Sequence, residues 1–286
     1  MEEKIRIAIQ KSGRLSDKSL ELLRECGIHF SNGNNKLRAV ADNFPAELLF
    51  LRDDDIPGYV EDGVADLGIV GENEVAEKHK NVETLKKLGF SKCRLSLAIP
   101  RDVSYKDVSF FEATNIATSY PKILRDFLEA HQISAQIHEI SGSVEIAPSI
   151  GLADAVCDIV SSGSTLLSNG LKEVETIFRS EAVLIGHPGA TAAKQRLTQQ
   201  LSFRIDAVQA GKNNKYILLN APEEATERII ELLPGMRSPT VLPLAMPGWN
   251  SIHSVVNEDA FWESIEQLRA AGAEGILVVP IEKMIV

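Results

Sequence analysis

The sequence predicts two α/β lobes followed by a small βαββαβ domain. Three observations carry that prediction. Short apolar runs alternate with helical stripes from residue 5 onward, the pattern of parallel sheets. A strand–loop–helix pattern near the start returns in the middle of the chain. Beyond residue 213 the order becomes strand, helix, strand, strand, helix, strand, which is a ferredoxin-like unit.

Ile5 to Ile9 is an apolar run that reads as a buried strand. Leu20, Leu22, Leu23 and Cys26 form a helical stripe that stops at Gly27, a C-cap residue. Leu48 to Leu51 is a second strand, Ile56 to Asp62 a short helix with Pro57 near its start, and Leu67 to Val70 a third strand. Cys93 to Ile99 and Glu181 to Gly186 read as crossovers between lobes. The polar stretch Gln209 to Lys215 reads as a linker. After it, Tyr216–Asn220, Thr240–Leu244, Ser251–Val256 and Ile276–Pro280 are strands. Pro222–Leu233 and Ala260–Ala271 are helices, the second carrying Phe261, Ile265 and Leu268 on one face.

The internal repeat aligns Val64-Ala65-Asp66-Leu67-Gly68-Ile69-Val70-Gly71 with Val156-Cys157-Asp158-Ile159-Val160-Ser161-Ser162-Gly163. In that alignment an Asp opens each strand and a Gly follows it; two buried βα units can also match by chance. The division that follows is lobe I over 1–97 and 179–210, lobe II over 98–178, and the third domain over 213–286. Such a pair of lobes is similar to periplasmic binding proteins, with a ligand cleft between them.

Composition narrows the function. The 286 residues are 44% hydrophobic and 24% charged, ordinary for a globular chain. Net charge is -10 without a basic block, which disfavours nucleic acid as a partner. Cys26, Cys93 and Cys157 have no metal-type spacing and cannot close a disulfide framework, so a reducing cytoplasm is expected. The charged start Met1-Glu2-Glu3-Lys4 lacks an apolar signal core, and no apolar run approaches the roughly 18 residues of a membrane span.

The densest polar pattern is Asp154-Ala155-Val156-Cys157-Asp158-Ile159-Val160-Ser161-Ser162-Gly163-Ser164-Thr165-Leu166. A strand enters a loop of hydroxyl residues and Gly, then a helix. Ser161, Ser162, Ser164 and Thr165 offer hydroxyl donors, Gly163 permits a tight turn, and the helix start adds N–H groups; together they suit a phosphate. The same residues would serve as a plain N-cap. Asp154 and Asp158 could bond ribose hydroxyls or hold Mg²⁺, or could cap and solvate. Glu145, after Ser141-Gly142-Ser143, is a further candidate for that cleft.

Lobe I supplies cations. Lys11, Gly13 and Arg14 follow the first strand, and Arg52 ends another ahead of Asp53-Asp54-Asp55. Loops after parallel strands are where α/β sheets place ligands. The acidic run suits a helix cap better than a metal. Glu72, in Gly71-Glu72-Asn73, is a candidate contact for a base or hydroxyl. No P-loop, no Gly-x-Ser-x-Gly elbow and no metal-spaced set among the six histidines is present. Catalysis by positioning and electrostatics is the expectation.

These residues resemble the long form of ATP phosphoribosyltransferase. The resemblance rests on Ile7 to Leu15, Arg52-Asp53-Asp54-Asp55-Ile56-Pro57-Gly58, Asp66 to Asn73, Ala117-Thr118-Ser119-Tyr120-Pro121, Gly151 to Leu166, and Pro280-Ile281-Glu282-Lys283-Met284. It implies transfer of phosphoribosyl from phosphoribosyl pyrophosphate to N1 of ATP, with Mg²⁺ and no covalent intermediate. It places the ribosyl 5′-phosphate on Ser161–Thr165, with Glu145, Asp154 and Asp158 at the ribose and Mg²⁺. Lys11, Arg14 and Arg52 would face the nucleotide and pyrophosphate; Gly13, Asp66, Glu72 and Tyr120 would line the ATP side. It also implies feedback inhibition by histidine near Asn220, Thr240 and Ala273, in a homohexamer. A two-lobed binding protein or a catalytically silent paralogue is the alternative.

Overall fold

The structure is a computed structural model that describes residues 3–30, 37–233, 235 and 238–285. It divides into two compact units, Met1–Arg24 with Ile28–Thr198, and Glu25–Gly27 with Gln199–Val286.

The first unit opens with β1 (Ile5–Gln10), α1 (Arg14–Glu25), β2 (Arg38–Val40), β3 (Ala46–Leu51), α2 (Ile56–Glu61), β4 (Leu67–Gly71), α3 (Glu72–Lys78) and β5 (Glu83–Lys87). Ser16, Ser19, Leu22 and Leu23 bury one face of α1 at helical spacing. The chain then crosses into β6 (Cys93–Pro100), β7 (Asn115–Thr118), α4 (Pro121–Ala130), β8 (Gln136–Glu139), β9 (Ala155–Val160), α5 (Ser164–Ser168) and β10 (Leu171–Ser180). It returns in β11 (Ala182–Gly186).

Two sheets result, ordered β2-β3-β1-β4-β11-β5 and β10-β6-β9-β7-β8. Each centres on three parallel strands, β3-β1-β4 in one and β8-β7-β9 in the other. Each then gains an antiparallel strand: β11 beside β4, and β6 beside β9. The internal repeat is therefore present, but its register differs from the expected one. Asp66 precedes β4, accepts from Arg6 N at 2.8 Å and donates its own N–H to Arg6 O. Asp154 precedes β9 and makes the same pair of bonds with Asn115. So Asp154, not Asp158, is the counterpart of Asp66. Gly71 and Gly163 do correspond, each standing immediately before a helix. The extra residues between Asp154 and Gly163 belong to a longer strand and its loop. The second sheet also takes in Cys93–Pro100 and Leu171–Ser180, so the change of sheet falls earlier than residue 98 and later than 178.

The second unit contains most of α6 (Ala192–Asn213), then β12 (Asn214–Pro222), α7 (Thr226–Leu232), β13 (Thr240–Pro243), β14 (Trp249–Asn257), α8 (Glu258–Ala270) and β15 (Glu274–Pro280). Its sheet runs β13-β14-β12-β15, antiparallel throughout, which is the ferredoxin-like order. Ile217, Leu219, Ile229, Ile252, Phe261 and Leu268 form its core. The expected linker at Gln209–Lys215 is a correction: those residues end α6 and begin β12. Local polarity is overridden there by tertiary contact. A Cβ on Gly211 would lie 2.7 Å from Ile281 O, and Met284 N donates to Ala207 O. Gly211→Ala is expected to destabilise this unit by about 1–3 kcal/mol, because the obstacle is backbone rather than a yielding side chain; thermal unfolding would measure it. Among the described residues no helix is long and apolar enough to cross a membrane.

Candidate functional site

Parallel strands deliver the loops at their C-terminal ends to one place. Here β1, β4, β7 and β9 from both sheets open onto a cavity of about 480 Å³. Gly13 lines it from the β1–α1 loop, Arg14 from the first position of α1, Tyr120 from just before α4, and Ser161 from just after β9. Gly13 adopts φ +98°, a left-handed turn that glycine enters without strain.

The hydroxyl loop is held from below and open above. Arg94 on β6 forms an ion pair with Glu173 on β10, and its Nη1 donates to Ser161 O at 3.4 Å. Gly163 takes φ +82°. Ser162 Oγ and Ser164 Oγ lie 3.0 Å apart, and Ser161, Ser162, Ser164 and Thr165 are exposed. α5 spans only 5 residues, so the cradle consists of hydroxyls and loop N–H groups more than of a helix dipole. Asp158, near the end of β9, is half-buried and accepts from Ile159 N at 2.7 Å. Burial pushes its carboxyl above the usual range, the Ile159 hydrogen bond pulls it back, and nearby Glu145 raises it further.

Other expected residues stand elsewhere. Asp154 lies at the opposite end of β9, about 23 Å of strand from the loop, where Asn115 N and Nδ2 occupy its carboxylate. Asp66 is likewise at the entry end of β4, buried against Lys194 Nζ at 2.7 Å. Both are structural ties rather than parts of the cavity wall. Glu72 pairs with Lys87 at 3.1 Å, and Arg52 pairs with its neighbour Asp54. Lys11 is exposed beside the site, its N–H bonded to Leu51 O. In the second unit, Ala273 lines a groove of about 800 Å³ with Gly275, and Asn220 Nδ2 approaches Gly275. Thr240 is on the far edge strand β13, three strand spacings or about 14 Å away across the sheet.

Sequence reasoning missed Asn73, Glu74, Lys18 and Lys92, all of which line the cavity. Glu72 and Glu74 sit in the same helical turn, and only the start of α3 decides which one faces inward. Glu74 is buried, and Tyr120 OH donates to its Oε1 at 3.1 Å from the other lobe. Asn73 Nδ2 donates to the same oxygen at 2.9 Å. Burial pushes the Glu74 carboxyl up to about 7, Asp53 adding to the shift and the Tyr120 hydrogen bond opposing it. A second tie joins the lobes: the Glu77 carboxylate accepts from Lys122 N and Ile123 N at the head of α4.

The arrangement can hold two anionic groups, one on the hydroxyl loop and one near Arg14, with a hydrogen-bonding wall between them. Among the described residues that line it there is no activated nucleophile; burial pushes the Cys93 thiol up. Residues 52–207 match the family described as ATP phosphoribosyltransferase, and residues 211–283 match the HisG C-terminal domain family. An ATP phosphoribosyltransferase of Cytophaga hutchinsonii is 59% identical over 281 residues, 98% of each chain. One from Phocaeicola vulgatus is 58% identical over 98% of this chain and 99% of its own. A solved ATP phosphoribosyl transferase (HisG:HisZ) complex from Thermotoga maritima superimposes with a TM-score of 0.61 at 26% identity, over 70% of this chain and 98% of that one.

Proposed function

The chain belongs to the ATP phosphoribosyltransferase family, and on that footing we propose how its own residues divide the reaction. The enzyme transfers phosphoribosyl from phosphoribosyl pyrophosphate to N1 of the adenine of ATP, releasing pyrophosphate. The anomeric carbon gains positive charge as pyrophosphate departs, and the adenine becomes cationic as the new C–N bond forms. The protein must align N1 with that carbon, stabilise the charges and exclude water.

The observation that carries the assignment is the meeting of Arg14 and Gly13 with Tyr120 and Ser161 around one cavity. Ser161, Ser162, Gly163, Ser164 and Thr165 would hold the 5′-phosphate of the donor. Asp158, with Glu145 beside it, would bond the ribose and face its developing charge. Arg14, with Lys11 beside the cavity and Arg52 outside its lining, would attract the phosphate chains. Tyr120 and Asn73 would contact the adenine, with Glu74 behind them.

Mg²⁺ is implied by the reaction. Asp158 and Glu145 suit it, because Mg²⁺ uses one or two carboxylates and completes its shell with water and phosphate; Asp154, occupied at the other end of β9, does not. Bound there, Mg²⁺ would neutralise charge on the donor.

We further propose that the second unit binds histidine as an inhibitor at the groove beside Ala273 and Asn220. In a homohexamer, Thr240 would reach that groove only from a neighbouring copy. Any effect of histidine on substrate affinity is reciprocal, so bound substrate would change histidine affinity by the same factor.

The activity is tested by mixing the protein with ATP, phosphoribosyl pyrophosphate, Mg²⁺ and pyrophosphatase. The expected result is a rise in near-ultraviolet absorbance that needs both substrates and is suppressed by histidine. Folded protein that gives no rise would instead favour a binding or regulatory paralogue.

A further inference from the structure

Three cations line the cleft cavity. Arg14 begins α1, Lys18 follows one turn later, and Lys92 comes from the crossover before β6. Among the described residues, none of the three has an ion-pair or side-chain hydrogen-bond partner. Many of the chain's other cations do: Lys80 meets Glu61, Lys122 meets Asp126, Lys194 meets Asp66 and Lys212 meets Glu25.

The two carboxylates that line the same cavity do not pair with these cations. Asp53 accepts from Gln10 Nε2 at 3.3 Å, and Glu74 accepts from Asn73 and Tyr120. Neutral donors satisfy the acids while the cations stay uncompensated. The cavity therefore combines a hydrogen-bonding cluster at Tyr120 and Asn73 with cations that two separate backbone segments contribute. In a chain with 40 acidic and 30 basic residues, that is a local positive field in an otherwise acidic molecule.

We propose that Lys18 and Lys92 are specificity-determining residues that read the length of the nucleotide's phosphate chain, selecting ATP over AMP. The inference rests on the reading of this cavity as the ATP site. A monophosphate presents one anionic group and can be satisfied by one cation. A triphosphate presents three linked groups, so of the two nucleotides it is the one that gains from cations on separate segments. Lysine suits the task, since a point charge on a flexible stem can follow a chain of tetrahedral groups. Neither lysine is placed at the reacting atoms.

The test is calorimetric titration of the full chain with ATP, AMP and phosphoribosyl pyrophosphate at fixed Mg²⁺, in wild type, Lys18→Gln, Lys92→Gln and the double variant. Each single variant is expected to weaken ATP about fivefold, with AMP and phosphoribosyl pyrophosphate within about twofold. The two losses should combine in the double variant. Added salt should erode the wild-type preference for ATP and leave the double variant nearly unaffected. Equal losses for ATP and AMP, an unchanged ATP affinity, or a loss confined to phosphoribosyl pyrophosphate would each overturn the assignment. Wild-type protein that binds no ATP would remove the underlying site reading as well, an outcome distinct from variants that bind ATP normally.

Discussion

Asp158→Asn is expected to lower kcat/KM by about 10²–10³-fold while leaving the fold intact, the range seen when one preorganised electrostatic group is removed from a reacting centre. Asp158 sits near the C-terminal end of β9, half-buried, beside Glu145 and three residues before the hydroxyl loop begins its turn at Ser161. Its charge would be placed where the ribosyl carbon becomes positive. Asparagine keeps the shape, and its amide oxygen can still accept from Ile159 N, so unfolding should change little. Activity should also fall as pH drops, because a carboxyl held above its usual range loses its charge sooner. Asp154→Asn provides the contrast. Its carboxylate ties β9 to Asn115 N and Nδ2, so its loss should appear in thermal stability more than in turnover. Steady-state kinetics and melting of the two variants measure both. A Asp158→Asn enzyme within a few-fold of wild type would contradict its assigned role.

Glu74→Gln should raise stability at alkaline pH and leave it almost unchanged at acid pH. The ordinary value for this carboxyl is 4.5, and burial moves it in the folded protein to about 7. The folded state therefore holds the proton more tightly than the unfolded chain. The stabilising contribution is complete below about 4.5 and is lost as pH rises through 7. Above 7 a buried carboxylate remains, next to Asp53 and Asp54 and opposed only in part by Lys78. A displacement of this size corresponds to at most about 3 kcal/mol. Glutamine keeps the oxygen that Tyr120 OH and Asn73 Nδ2 share and removes the charge. The two melting curves should coincide below about pH 4, separate between about 4.5 and 7, and stay apart above 7, with the variant higher. Curves that run parallel across that range would show that Glu74 does not titrate as the structure requires.

Much of the fold is legible in the sequence because it rests on local pattern. Apolar runs such as Ile5–Ile9 and Leu67–Ile69 sit on central parallel strands, and β12 to β15 with α7 and α8 follow the expected order. The hydroxyl loop is legible for the same reason, its chemistry being contiguous. What fails depends on partners distant in sequence. α6 runs through a polar stretch because Ala207 and Gly211 meet residues 281–284. A gapless alignment of the repeat sets Asp66 against Asp158, which hides the matching backbone ties of Asp66 and Asp154. Glu72 and Glu74 are equal candidates until Lys87 takes one and Tyr120 the other. Lys18 and Lys92 carry no motif, and only the shape of the cavity brings them together.

The central claim is that one cleft divides its substrates between two walls, the donor on the Ser161–Thr165 loop and the nucleotide beside Arg14. Calorimetric binding of phosphoribosyl pyrophosphate and of ATP to Gly163→Val and to Arg14→Ala tests it most directly. Valine cannot readily adopt the φ of +82° at residue 163. Gly163→Val should weaken the donor at least about tenfold, equivalent to roughly 1.4 kcal/mol, with ATP little changed. Arg14→Ala should show the reverse pattern. Donor binding that survives Gly163→Val intact, in protein shown to be folded, would contradict the account.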